Sequence, residues 1–314
     1  AIAAGIVESL SCGVTAVGEI VTAPLADYRS SLLPRMVLFH EVIGFSAARV
    51  DSVEADLHVR LEQTPPHGAG TVGLSPHAPY TVHPELLSRI VSLSAARNLP
   101  LAMHLAESAQ ELQLLREGRG PFRELLAERS MWDPSAIPPG TRPLDYLKTI
   151  AEAERVLVVH GNYLDDDEIQ FIAARKDNMS VAYCPRTHEY FGHPKYPLAK
   201  MRQAGVRVAL GTDSRASNPD LGLLAEMQTA ARHFPEIAPA DIHRMATIDA
   251  ATALGMESEI GSLRRGKSAD LAAVASAVDA HDPFESLLTP PAKITGVWLR
   301  GRPLPREVFA ESRM

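Results

Sequence analysis

Short, nearly continuous apolar runs punctuate the chain at 13–21, 35–45, 71–75, 100–104, 155–160, 179–183 and 206–211, and stretches of helical periodicity separate them. Runs this brief and this uniformly apolar read as strands buried on both faces, as in a parallel sheet. Helices are predicted for ADLHVRLEQ from Ala55, PELLSRIVSLSAAR from Pro84, DDDEIQFIAAR from Asp165 and LGLLAEMQTAARHF from Leu221. Pro84 suits a first helical turn, and the acidic Asp165, Asp166 and Asp167 complement the positive end of a helix dipole. Seven alternating βα units are one short of an eight-stranded barrel, and the chain opens on a helix-like piece, AIAAGIVESLSCG, that follows a first strand in such a fold. The expected architecture is a TIM-like (β/α)8 barrel over 1–255, with its first strand missing from an N-terminally truncated sequence. After Gly255, ESEIGSLRRGKSADLAAVA and ITGVWLRGRPL break into short β-like runs, expected to form part of a small β-sandwich domain over 256–314. The proline-rich stretches around Pro138 and Pro290 read as surface loops.

Composition narrows the class. With 314 residues, 46% of them hydrophobic and 22% charged, the chain has an ordinary globular balance and can bury a large core. A formal charge of -7 with scattered basic residues leaves no footprint for nucleic acid. No run approaches the roughly 20 apolar residues of a membrane span, and the N-terminus lacks a signal-peptide pattern. Cys12 and Cys184 form no paired motif and read as free thiols, which suits a cytoplasmic protein.

Polar residues with chemical potential stand where the apolar runs end. His104 and Glu107 close PLAMHLAES, His160 closes RVLVVHGNYL, and Asp213 follows VRVALG. In βα barrels reactive groups collect at such strand ends, so the recurrence suggests one metal-centred hydrolytic site. An imidazole at His104 is suited to a metal, and a carboxylate at Glu107 to proton handling. Each residue also has a plainer explanation. His104 and Glu107 also suit strand-capping roles, Asp213 a helix cap or turn, and His160 a neutral core imidazole held by a carbonyl. His77, set between prolines in SPHAP, suits either a substrate contact or a rigid turn. Arg186 and His188 in CPRTH, with Phe191 beyond them, suit hydrogen bonding and stacking to a heteroaromatic ligand, or a solvated loop; Ser214 beside Asp213 is a further candidate contact. His40 and Glu41 carry little weight, and His58, His67, His193, His233, His243 and His281 lack this context.

Taken together, GLSPHAPYTV, MHLAES, VVHGNYL, YCPRTH, LGTDSRASNPDLGLLAEM and GSLRRGKSADL resemble the amidohydrolase superfamily, in its deaminase and chlorohydrolase branch, over nearly the whole chain. The resemblance implies a divalent metal, Zn²⁺ or else Fe²⁺, with His104 and Asp213 as ligands. It further implies Glu107 as proton shuttle, His160 orienting the attacking hydroxide, Asp213 also as base, and His77 at the substrate. The superfamily's HxH ligand pair at the end of the first strand has no counterpart in this sequence. The implied reaction is hydrolytic deamination of an aminopurine nucleoside of the adenosine, S-adenosylhomocysteine or 6-aminodeoxyfutalosine type, releasing ammonia. CPRTHEYFGH and HLAES look most similar to the last of these. Hydrolytic dechlorination and guanine or triazine chemistry use nearly the same residues, and a homodimer is compatible with the branch. A non-catalytic ligand-binding barrel is the alternative from another class. The unrelated zinc deaminases that use PCxxC are excluded by the absence of that cysteine pair.

Overall fold

Each of the seven apolar runs forms a strand. In the computed structural model, which describes residues 2–22, 33–63, 71–276, 281–305 and 307–311, these are β1 (Ala16–Val21), β2 (Arg35–Val42), β3 (Thr71–Pro76), β4 (Leu101–Leu105), β5 (Val156–His160), β6 (Met179–Tyr183) and β7 (Val208–Leu210). They pair in chain order as one parallel sheet, and no pairing among the described residues joins β7 back to β1. The first run is trimmed to Ala16 because Gly13, at φ 87°, ends the preceding helix in a left-handed turn. His67 lies outside the described residues.

The helices are α1 (Ile2–Ser11), α2 (Val50–Glu62), α3 (Pro84–Arg97), α4 (Ala109–Glu117), α5 (Pro121–Glu128), α6 (Pro143–Ile150), α7 (Asp166–Ala173), α8 (Pro185–Tyr190), α9 (Leu198–Ala204), α10 (Leu223–His233), α11 (Pro239–Ala246), α12 (Ile248–Ala253), α13 (Pro283–Leu288) and α14 (Glu307–Glu311). Parallel neighbours need crossover connections, and most of these helices supply them. Leu101, Met103, Leu105, Val156, Val158, Met179 and Val181 are buried, as uniformly apolar strands covered by helices should be. No helix among the described residues is long and apolar enough to cross a membrane.

Register sets where the functional ends fall. Leu105 pairs with His160, Val159 with Ala182, and Tyr183 with Leu210, so β4 to β7 finish on one rim. Beyond the parallel sheet, β8 (Leu271–Ala275), β9 (Lys293–Leu299) and β10 (Arg302–Pro303) make a small antiparallel sheet. Ile6 and Leu10 of α1 pack against Val297 and Leu299 of β9, and Arg35 at the start of β2 pairs with Asp270 and Glu259 at 2.8 and 2.6 Å.

The acidic start of α7 is a reciprocal cap. Asp165 accepts from the Glu168 N–H at 3.0 Å, while Glu168 accepts from the Asp165 N–H at 2.9 Å. Asp165→Ala removes one half of this cap and should cost about 1 kcal/mol, read as a lower urea midpoint with an unchanged slope.

Candidate active site

The rim at the C-terminal ends of β3, β4, β5 and β7 gathers His77, His104, Glu107, His160 and Asp213. Three non-glycine residues with positive φ lie there: Ala106 at 52°, His160 at 70° and Asp213 at 55°. Such conformations cost roughly 1–3 kcal/mol each and persist only where neighbours enforce them. Here the neighbours are identifiable. Tyr196 donates to the His160 carbonyl at 2.8 Å, and Gly161, itself at φ 63°, has no room for a Cβ, which would meet Leu164 at 2.9 Å.

His104 has a defined tautomer. Its Nδ1 lies 3.1 Å from the His77 carbonyl, and a carbonyl can only accept, so Nδ1 carries the proton and Nε2 keeps its lone pair. Burial, then the neighbouring His160, lowers the proton affinity of His104 and keeps it neutral. A neutral imidazole whose second nitrogen donates to a carbonyl is the form that binds a metal. Asp213 acts electrostatically on both His104 and His160. Its Oδ1 accepts from the Ser214 N–H at 2.7 Å, and its Oδ2 lies 3.4 Å from the Ser217 hydroxyl. His104 and Asp213 thus fit a divalent ion as part of a donor set. Among the described residues, no group of three or more His, Cys, Asp or Glu side chains completes one.

Glu107 Oε1 stands 3.5 Å from His160 Nε2. Burial raises its pKa, the nearby His104 opposes this, and Asp213 adds to it. A carboxyl biased toward its protonated form is suited to giving and taking a proton near neutral pH. His77 Nδ1 lies 2.8 Å from the Thr81 hydroxyl, and its ring is 4.9 Å from that of His104.

CPRTHEYF forms the short helix α8 rather than a loop, opened by Pro185. His188 is buried within it. Arg186, a candidate ligand contact from sequence, is committed elsewhere. Its Nε bonds Glu226 at 2.7 Å, its Nη2 bonds Asp220 at 2.9 Å, and its backbone N–H donates to Glu226 at 2.9 Å. Phe191 is exposed, in edge contact with Tyr190, and Ser214 is exposed beside Asp213.

Several supporting residues escape the sequence reading. Glu111, 1% exposed, accepts from the N–H groups of Ala106 and Glu107 at 2.8 and 2.9 Å and so holds the loop carrying Glu107. Burial pushes its pKa up to about 8. The signal for it is Ser108-x-x-Glu111, a capping pattern at the head of α4. Glu226, a charge on the apolar face of α10, binds Asn218, and Asn218 donates to the Thr212 carbonyl beside Asp213. Asn162 donates to the Glu107 carbonyl at 2.9 Å, and His193, which has no distinguishing context in sequence, is brought close enough to bias Glu107.

Comparison with known proteins gives a consistent picture. The family model described as the amidohydrolase family matches residues 1–304. A 5-methylthioadenosine/S-adenosylhomocysteine deaminase from Thermodesulfovibrio yellowstonii is 32% identical over 278 residues, covering 84% of this chain and 58% of that protein. The corresponding protein of Moorella thermoacetica is 36% identical over 251 residues, covering 76% of this chain and 52% of its own length. The chain therefore spans little more than half the length of these curated relatives. Among solved structures, a zinc-bound adenosine deaminase from Xanthomonas campestris superposes with a TM-score of 0.79 at 26% identity, covering 99% of this chain and 72% of that one. The Helicobacter pylori aminofutalosine deaminase, at 21% identity with 96% and 76% coverage, shares the fold with a TM-score of 0.79.

Three imidazoles of this region, His77, His160 and His188, are pushed down to about 4, in each case chiefly by burial. In the unfolded chain they protonate at about 6.5. Between these values the unfolded chain binds protons that the folded one refuses, so their contribution to stability is full above about pH 6.5 and is lost as pH falls toward 4. Urea unfolding across this range should show that decline, with a shallower slope in His160→Gln; a flat profile would contradict the assignment.

Proposed function

The chain belongs to the amidohydrolase family, and from that premise we propose that it is a metal-dependent hydrolytic deaminase of an aminopurine nucleoside of the adenosine, S-adenosylhomocysteine or 6-aminodeoxyfutalosine type. The observation that carries this reading is the pairing of a tautomer-fixed His104 with a proton-holding Glu107 that lies 3.5 Å from His160. The relatives named as deaminases of such nucleosides support it. We further propose a TIM-like barrel over 1–255 and a small β domain over 256–314, in keeping with the structural neighbours.

His104 Nε2 and the Asp213 carboxylate would hold the ion, Zn²⁺ in our reading. A bound divalent ion supplies Lewis-acid activation of water at neutral pH. Asp213 takes a proton from the attacking water. Glu107 gives its proton to the ring nitrogen next to the amine-bearing carbon, so that negative charge does not build up there. His160, uncharged and buried, orients the attacking water, and His77 contacts the substrate. Water adds to the carbon, Asp213 passes the proton it took to the amine, the C–N bond breaks, the proton of the added hydroxyl returns to Glu107, and one ammonia leaves for each water consumed.

Zinc-loaded protein should release ammonia from at least one of adenosine, 5′-methylthioadenosine, S-adenosylhomocysteine and 6-aminodeoxyfutalosine. Glu107→Gln should lower kcat by about 10²–10⁴-fold. Absence of ammonia with all four nucleosides would overturn the reading.

A further inference from the structure

Neither Tyr163 nor His193 stands out in the sequence, yet the fold sets both against the loop that carries Glu107. Tyr163 follows the left-handed pair His160 and Gly161, and its backbone N–H donates to the Ala106 carbonyl at 3.0 Å. Its hydroxyl lies 3.1 Å from His193 Nδ1. In this contact we assign the phenol O–H as donor and Nδ1 of His193 as its acceptor. Nδ1 is then unprotonated, and a neutral imidazole must carry its proton on Nε2. Burial keeps this ring neutral.

The ring sits at the site. His193 and Glu107 each bias the other's charge, and His193 also acts on His160. Its ring centroid is 5.3 Å from His188 and 5.9 Å from the exposed Phe191. No described residue bonds to its Nε2, so an oriented donor stands unused beside the proton shuttle.

We propose that His193 is a substrate-binding residue whose Nε2–H donates to a ring-nitrogen or sugar-oxygen acceptor of the nucleoside, with Tyr163 as the positioning residue that sets its tautomer. The proposal rests on the deaminase reading for the identity of the ligand. A hydrogen bond of this kind discriminates sharply, because a ligand lacking the acceptor leaves the donor unpaired.

Two measurements test it. Long-range proton–nitrogen spectra of histidine-labelled protein, assigned with His193→Gln, should show His193 with a bare Nδ1 and a protonated Nε2. Tyr163→Phe should convert it to a mixture of tautomers, and adenosine added to the slow Glu107→Gln variant should move the Nε2 resonance. In kinetics, His193→Phe should raise KM about tenfold with a much smaller change in kcat, and His193→Gln, which keeps an N–H, should recover most of the affinity. Loss of that KM penalty on 7-deazaadenosine identifies a ring-nitrogen acceptor, and its loss on 5′-deoxyadenosine a sugar oxygen. A protonated Nδ1 in the native protein, or an active enzyme whose KM ignores His193→Phe, overturns the proposal. An inactive native protein whose His193 resonance still responds to adenosine overturns the deaminase reading and upholds the binding role.

Discussion

The hydrogen bond from His104 Nδ1 to the His77 carbonyl decides which face of an imidazole the site presents. It runs between the ends of adjacent parallel strands, so it exists only because β3 and β4 stop together on one rim. The His104 N–H donates to the same carbonyl at 2.9 Å, which ties the backbone and the side chain of His104 to one acceptor. With Nδ1 spent on that carbonyl, Nε2 is left with its lone pair free at a half-buried ring. The chemistry proposed for the site follows from that lone pair and from the carboxylates arranged around it.

Buried carboxyl groups behind the rim hold the loops that carry the reactive residues. Glu111 binds two successive backbone N–H groups of the β4 loop, including that of Glu107. Glu226 joins Arg186 to Asn218, and Asn218 reaches the carbonyl next to Asp213. A buried ion pair of this kind is a weak source of stability, since desolvation offsets much of the attraction. Its consequence here is geometric: α8 and α10 are locked to the loop that presents Asp213.

The strands were legible in the sequence because parallel strands covered on both faces leave an unmistakable apolar signature, and Leu101 to Leu105 and Val156 to Val159 carry it clearly. The rim residues were legible for the same reason, since a polar side chain directly after such a run has only one place to go. Supporting residues were harder to read. Glu226 lies in α10 far from Arg186 in the chain, and nothing local marks the pairing. Arg186 reads as a ligand contact until the fold shows its guanidinium occupied, and His193 reads as an ordinary loop imidazole until Tyr163 is brought to it from the end of β5. Long-range juxtaposition, which periodicity does not encode, separates the two groups.

Elemental analysis of bound metal per chain shows whether His104 and Asp213 hold one divalent ion at this rim. Close to one zinc or iron per chain is expected in the native protein after reconstitution, with its loss in both His104→Ala and Asp213→Ala. Metal retained in both variants, or none bound by the native protein, would contradict it.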